Sequence, residues 1–237
     1  MFLARALMAA AGGNAYQNVI LADKPVAFWP LNETRGAVAY DLSGNGYNAA
    51  YIGTPTLGAA PIAGGLGASV SLNGSAQYVE LATPPAALQI VEGSFEVWAN
   101  QSTVVKGAAL LANDYSTTVN FAIGQGNKNN ATPTTALLFG GNYEGSWDYA
   151  GYGSTLAAGS PAHVVYTNNG TTAILYLNGV AIYTGASRTF TANSAAIYIG
   201  KNWGSAFYVN GLMSNVAIYN TVLSASRILA HYNAGIA

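Results

Sequence analysis

The apolar positions of this chain come in short β-branched and aromatic runs, separated by Gly, Pro and Asn. That is the pattern of strands and tight turns rather than of long helices. Asn-Gly pairs stand at Asn73-Gly74, Asn169-Gly170 and Asn178-Gly179, each between strand-like runs. The dipeptide suits the positive φ angles of a two-residue type I′ turn. The spacing therefore predicts three hairpins: SVSL with QYVEL, HVVYT with TAILYL, and TAILYL with VAIYTG. From Gly53 to Gly67 the chain is rich in Ala, Gly and Pro and carries no charge, so an extended loop is expected there. One helix is predicted at the C-terminus. Ser224 is its N-cap, Ala225, Ile228, Leu229 and Tyr232 share one face, and Gly235 is the stop. The architecture these elements imply is all-β, with the helix covering an end of a sandwich.

The order of these segments adds a resemblance. The run AILYLNGVAIYTG, AAIYIGKN, FYVNGLMSNVAIYN, TVLSASRILAHYNAG resembles the end of a laminin-G-like (LamG), concanavalin A-type jelly-roll domain. That family runs from a "YxDG" hairpin through an "IG" strand and a "GxIDEVxIYN" strand to a helix beginning "LS". The opening VILADKPVAFWPLNETRGAVAYDLSGNGYNAAYIG is similar to the family's "PVAYWxLxE" strand and "DxSGNGxxG" turn. SVSLNGSAQYVEL resembles "FDGxxxYVxV", and GSFEVWAN resembles "fTiEaWv". The likeness extends from Tyr16 to Gly235. It implies an all-β, two-sheet antiparallel jelly-roll sandwich (concanavalin A-like) with a short C-terminal helix, and it says more about fold than about function. The expected division is an N-terminal arm, 1–15, and a sandwich domain, 16–237.

Composition narrows the function classes. A length of 237 residues without a compositional break suits one domain. The absence of cysteine excludes a disulfide scaffold. No apolar run reaches the ~20 residues of a membrane-spanning helix, so no membrane partner is expected. A net charge of −1 with scattered signs points away from nucleic acid. Charged residues make up only 7%, against about 25% in ordinary globular proteins. Weak self-repulsion makes association easy. Such a surface fits an extracellular or particle-bound protein, and equally a sandwich from a charge-poor lineage. In MFLARALMAAAGGNA, Arg5 sits inside the apolar stretch rather than before it, which argues against a signal peptide. Phe2, Leu3, Leu7 and Met8 are the expected contacts of an arm against a neighbouring chain; the alternative is a short helix folded back on its own domain.

Chemistry is sparse. His163 and His231 are the only near-neutral bases, and both are expected to be structural. Hydrolases sharing this broad fold place E-x-D-x-E along one strand, so that all three acids face the cleft. Here no two of the nine acids stand two residues apart. No nucleophile elbow, P-loop or Cys/His cluster occurs, and no catalytic residue is expected. The resemblance implies that Glu96 is structural. It also raises a weak calcium site: DLSGNGYN offers Asp41, Asn45 and Asn48 as oxygen donors. Where the family has Asp-Glu, however, this chain has Ser214-Asn215. The other reading is that Asp41 and Asn45 shape a tight turn. Pro161 stands where relatives often carry a Trp, which marks a divergent member.

Ligand recognition points to GGNYEGSWDYAGYG, where Tyr143, Trp147, Tyr149 and Tyr152 lie among glycines beside Glu144 and Asp148. Such aromatics suit sugar rings, protein interfaces or a sandwich core. Lys201, Asn202 and Trp203 form a smaller patch of the same kind. The first functional expectation is a non-catalytic virion component of a bacteriophage: a head decoration or cement protein, or a tail or fibre part. It would associate with itself or with other virion proteins, with or without gripping glycans. The alternative is an extracellular or cell-surface carbohydrate-binding module. A polysaccharide-degrading enzyme ranks third.

Overall fold

The computed structural model describes residues 14–115, 118–126, 137–144, 149–150, 155–187, 192, 194–202 and 207–237, with residues 114–115, 118–120, 126, 137–144 and 149–150 described through their backbone alone. The described strands are β1 (Ala27–Trp29), β2 (Val38–Ala39), β3 (Ala49–Ile52), β4 (Thr56–Ala59), β5 (Ser69–Asn73), β6 (Tyr78–Leu81), β7 (Gly93–Thr103), β8 (Ala109–Tyr115), β9 (Thr118–Gly126), β10 (Leu137–Glu144), β11 (Tyr149–Ala150), β12 (Ala162–Asn168), β13 (Thr172–Leu177), β14 (Val180–Ala186), β15 (Ile197–Ile199) and β16 (Asn210–Tyr219). The described α-helices that flank them are α1 (Ala15–Ala22) and α2 (Ala225–Ile236).

The strands form two antiparallel sheets. Sheet A runs β14-β13-β12-β7-β16-β5-β4, with β1 also on β16, and sheet B runs β11-β10-β9-β8-β15-β6-β3-β2. Alternation places Phe95, Val97 and Ala99 of β7 and Phe121 and Ile123 of β9 in the core between the sheets. Phe95 and Phe121 stack across it with ring centroids 4.1 Å apart. The other face of sheet A is not left to solvent. Trp98, Val165, Tyr176 and Tyr219 pack there against Tyr16 and Ile20 of α1 and Ile228 of α2. The molecule thus has three layers, helices on sheet A on sheet B, and β12 is buried along its whole length.

Two of the three expected hairpins are present. Asn178 (φ +52°) and Gly179 (φ +78°) turn β13 into β14 as a type I′ pair requires, and Asn169-Gly170 joins β12 to β13. The third expectation is corrected. β5 pairs with β4 and β16, whereas β6 pairs with β3 and β15. The Asn73-Gly74 turn therefore arches from one sheet to the other, with Asn73 Oδ1 accepting from the amides of Ser75 and Ala76. Residues 53–67 are likewise not all loop, since β4 lies among them as the edge of sheet A.

The C-terminal helix forms with Ser224 as its N-cap, its hydroxyl accepting from the Arg227 amide. Gly235 is not its stop but lies inside it, and Leu229 is 45% exposed. The buried residues are Ile228, His231 and Gly235. α1 was not foreseen as a helix. Asn14 caps it by accepting from the Gln17 amide at 2.9 Å, and Pro25 follows its end.

Candidate functional site

Among the described residues, three groups of side chains carry the chemistry that the fold assembles. The first is buried. Glu96 lies on the helix-facing side of β7, and its Oε1 accepts from the Tyr16 hydroxyl at 2.7 Å and bonds His163 Nε2 at 2.8 Å. Its Oε2 accepts from the Tyr219 hydroxyl at 3.1 Å and bonds His231 Nδ1 at 3.0 Å. His231 Nε2 continues to Asp23 Oδ2 at 2.7 Å, and Asp23 also accepts from Arg227, closest at 2.6 Å. Both ring nitrogens of His231 thus face carboxylates, and only the protonated ring donates from both. Burial opposes charge on Glu96, yet His231 and His163 hold its carboxyl well below the usual carboxylate range. Burial likewise opposes charge on His231, but Glu96 and Asp23 outweigh it and raise its pKa. Desolvation followed by the Glu96 charge pushes the Tyr16 and Tyr219 hydroxyls far up.

Glu96, His163 and His231 are all fully buried, so this hub holds the fold and has no room for a substrate. From sequence, structural roles are expected of the three separately, and their mutual contact is not. Neither histidine shows a carboxylate partner nearby in the chain, because the partners lie 67 and 135 residues away.

The second group is the turn at Asp41. Its Oδ1 accepts from the amides of Phe28 and Ser43, and its Oδ2 from the Ser43 hydroxyl and the Tyr47 amide, all within 2.8–3.0 Å. Asn45 donates to the Val26 carbonyl at 2.9 Å, and Asn48 accepts from the Asp41 amide at 2.9 Å. A carboxylate offers about four acceptor sites, and the turn uses them all. A calcium ion would have to displace these donors, so the residues present fit the turn-shaping role and do not fit a cation site.

The third group is on the outer face of sheet B. Because Val79, Ile197 and Ile199 point into the core, alternation turns Tyr78, Glu80 and Tyr198 outward. Lys201 is bridged to Tyr208 just beyond. Its ammonium lies 4.5 Å from the ring centres of both Tyr78 and Tyr198. Tyr78 meets Tyr198 edge to face at 5.9 Å and Tyr208 at 6.1 Å. All four residues are partly exposed. Desolvation and the charge of Glu80 raise the Tyr78 pKa.

Of the aromatic loop singled out from sequence, Trp147 and Tyr152 lie outside the described residues, as do Phe2, Leu3, Leu7, Met8 and Trp203. Tyr143 is in β10, and Tyr149 is in β11 opposite Gly141. Register carries that position across sheet B through Ala122 and Ala112 to Tyr198 and Glu80. Asn202 is buried, donating to the Gly107 carbonyl at 2.9 Å. The grouping of Tyr78, Tyr198 and Tyr208 was missed, although the alternation in QYVEL and AAIYIG already held the signal for two of them.

Comparison with known proteins identifies the fold. The family model of the concanavalin A-like lectin/glucanases superfamily matches residues 73–229. No curated protein matches. Among solved structures, domain 4 of AbnA, a GH43 extracellular arabinanase from Geobacillus stearothermophilus in complex with arabinotriose, superposes with a TM-score of 0.70 at 17% identity, covering 88% of this chain and 98% of that domain. A Trypanosoma rangeli sialidase in complex with the inhibitor DANA gives 0.60 at 14% identity, and the match covers 88% of this chain but 32% of the sialidase. At such identities these likenesses speak to the fold alone, a concanavalin A-like jelly roll. With a family model matched over more than half of its length, the chain belongs to the concanavalin A-like lectin/glucanases superfamily.

Proposed function

We propose that this domain is a non-catalytic carbohydrate-binding module that holds a glycan on the outer face of sheet B. The observation that carries the reading is the cluster of Tyr78, Tyr198 and Tyr208 around the Lys201 ammonium. A tyrosine ring pairs an apolar face with a polar tip, which matches a sugar's C–H face and hydroxyl rim. Lys201 and Glu80 supply a donor and an acceptor beside the rings, the mixture of apolar wall and few polar groups that small-ligand sites use. The arabinotriose complex of domain 4 of AbnA supports the reading, since nearly all of that domain superposes on this chain.

The non-catalytic half of the reading draws on three of the nine acids, which the fold has already engaged. Glycoside hydrolysis needs two carboxylates flanking one bond, roughly 5–10 Å apart. Glu96 is sealed in the hub, Asp23 is tied to Arg227 and His231, and Asp41 is consumed by its turn. Glycan-array screening followed by calorimetry tests the proposal. Tyr78→Ala and Tyr198→Ala should each weaken binding by about tenfold, the worth of one aromatic contact of ~1.4 kcal/mol. A wild-type protein that binds no glycan sinks it.

A second reading, the virion component that works by association, is favoured by the 7% charge content and by exposed Val180 and Leu229, the one next to Gly179 in the chain and the other packed close to it. Sedimentation should then show assembly or co-migration with particles. A persistent monomer found in no particle rejects this reading.

A further inference from the structure

The buried hub ties the segment 15–24 to α2 and to the middle strands of sheet A. Tyr16 begins α1 and Asp23 follows its end, while Glu96, His163, Tyr219, Arg227 and His231 belong to β7, β12, β16 and α2. Among the described residues, the side-chain hydrogen bonds between the segment 15–24 and the body of the domain run through this cluster. Tyr16 donates to Glu96 and accepts from Trp98 Nε1 at 2.9 Å, and Asp23 receives Arg227 and His231. Arg227 also reaches the Val19 carbonyl at 3.4 Å. A helix of 8 residues has no independent stability in water, so α1 persists through this docking and the burial of Tyr16 and Ile20.

The hub balances its charges. Asp23 and Glu96 are negative, and Arg227 and doubly donating His231 are positive. Around His231 stand Glu96 from β7, Asp23 and Tyr16 from the N-terminal segment, Tyr219 from β16, His163 from β12 beyond Glu96, and Arg227 and Tyr232 of its own helix. Loss of the His231 proton sets a bare ring nitrogen against a carboxylate oxygen at 2.7 or 3.0 Å. Protonating Asp23 removes the acceptor that holds Arg227 and His231 to the segment.

We propose that residues 14–24 form a pH-governed clasp, closed while His231 bridges Glu96 to Asp23 and released as that charge balance is lost. Release uncovers Trp98 and Tyr219 of sheet A and Ile228 of α2, and frees the segment 14–24 to move away from the domain. The closed range follows from the partners. Asp23 and Glu96 have depressed pKa values, so their contribution is present above the ordinary carboxylate range and fails as pH falls through their folded values. His231 has a raised value, so its contribution is complete below its unfolded pKa and is lost as pH rises through the folded one.

Amide hydrogen exchange of the full chain at a series of pH values, corrected for intrinsic exchange, reads the clasp directly. Protection of α1 should fall by about tenfold or more from about pH 6 to about pH 9. Amides at Leu111, Ile123 and Ile199 of sheet B should hold. Asp23→Asn, at the partly exposed end of the hub, should lower α1 protection at about pH 6 and flatten its pH response. If α1 and sheet B lose protection together at every pH, or if Asp23→Asn keeps the full wild-type response, the clasp is overturned.

Discussion

Gly235 shows how much a single residue can hide in sequence. A glycine near the end of an amphipathic run reads as a helix stop, yet its backbone is helical here and it needs no positive φ. Its use is closeness: a Cβ at this position would lie 2.3 Å from Cζ2 of Trp98. Trp98 cannot retreat, because its ring is stacked on His163 at 4.8 Å and its Nε1 is bonded to Tyr16. Gly235→Ala should therefore cost about 1–3 kcal/mol, as overpacking of a dense site does, despite alanine's better helix propensity. Urea unfolding measures this; a gain in stability would mean that the Trp98 stack yields. At the same scale, the roles of Glu96, His163 and His231 were legible as structural. Their mutual contact was not, because contacts across 67 and 135 residues leave no local pattern.

At the scale of elements, local rules succeeded where the partner strand was the next in sequence. The Asn178-Gly179 and Asn169-Gly170 turns each join neighbours in one sheet, so the turn chemistry alone decided the pairing. Asn73-Gly74 carries the same dipeptide between equally alternating strands, but the strands belong to opposite sheets. The interior residues Val70 and Leu72 of β5 and Val79 of β6 enter one core from opposite sides. A hairpin and an arch bury the same alternate positions, and periodicity cannot tell them apart. The same limit applies to α1, whose apolar residues look like the approach to a strand until Asn14 caps them and α2 receives them. The outward tyrosines were readable one strand at a time. Only the adjacency of β6 and β15 in sheet B gathers Tyr78 and Tyr198 around Lys201.

For the whole molecule, the three-layer arrangement makes the hub between sheet A and the helices a main source of the pH dependence of stability. Below the ordinary carboxylate range of about 4–4.5 the Glu96 and Asp23 contributions fail. Above about 6.5 the His231 contribution fails as pH passes its raised folded value, and above about 10 the tyrosines Tyr16 and Tyr219 lose theirs, since folding holds their protons more tightly. Resistance to urea should accordingly peak between about pH 4.5 and 6.5 and decline on both sides. A flat profile from about pH 5 to 9 would show that His231 carries no such weight.

What the sequence determined by itself is the class of the fold: short alternating strands, turn dipeptides, a capped C-terminal helix and an ordered set of segments shared with one superfamily. These are local or sequential properties, and local physics suffices to write them. Tertiary structure alone decided which strands share a sheet, that helices cover one face and leave the tyrosines of the other partly exposed, and that two carboxylates meet two histidines in the interior. Those outcomes depend on burying apolar faces and pairing charges between segments far apart in the chain. Such energies exist only once the whole chain has closed.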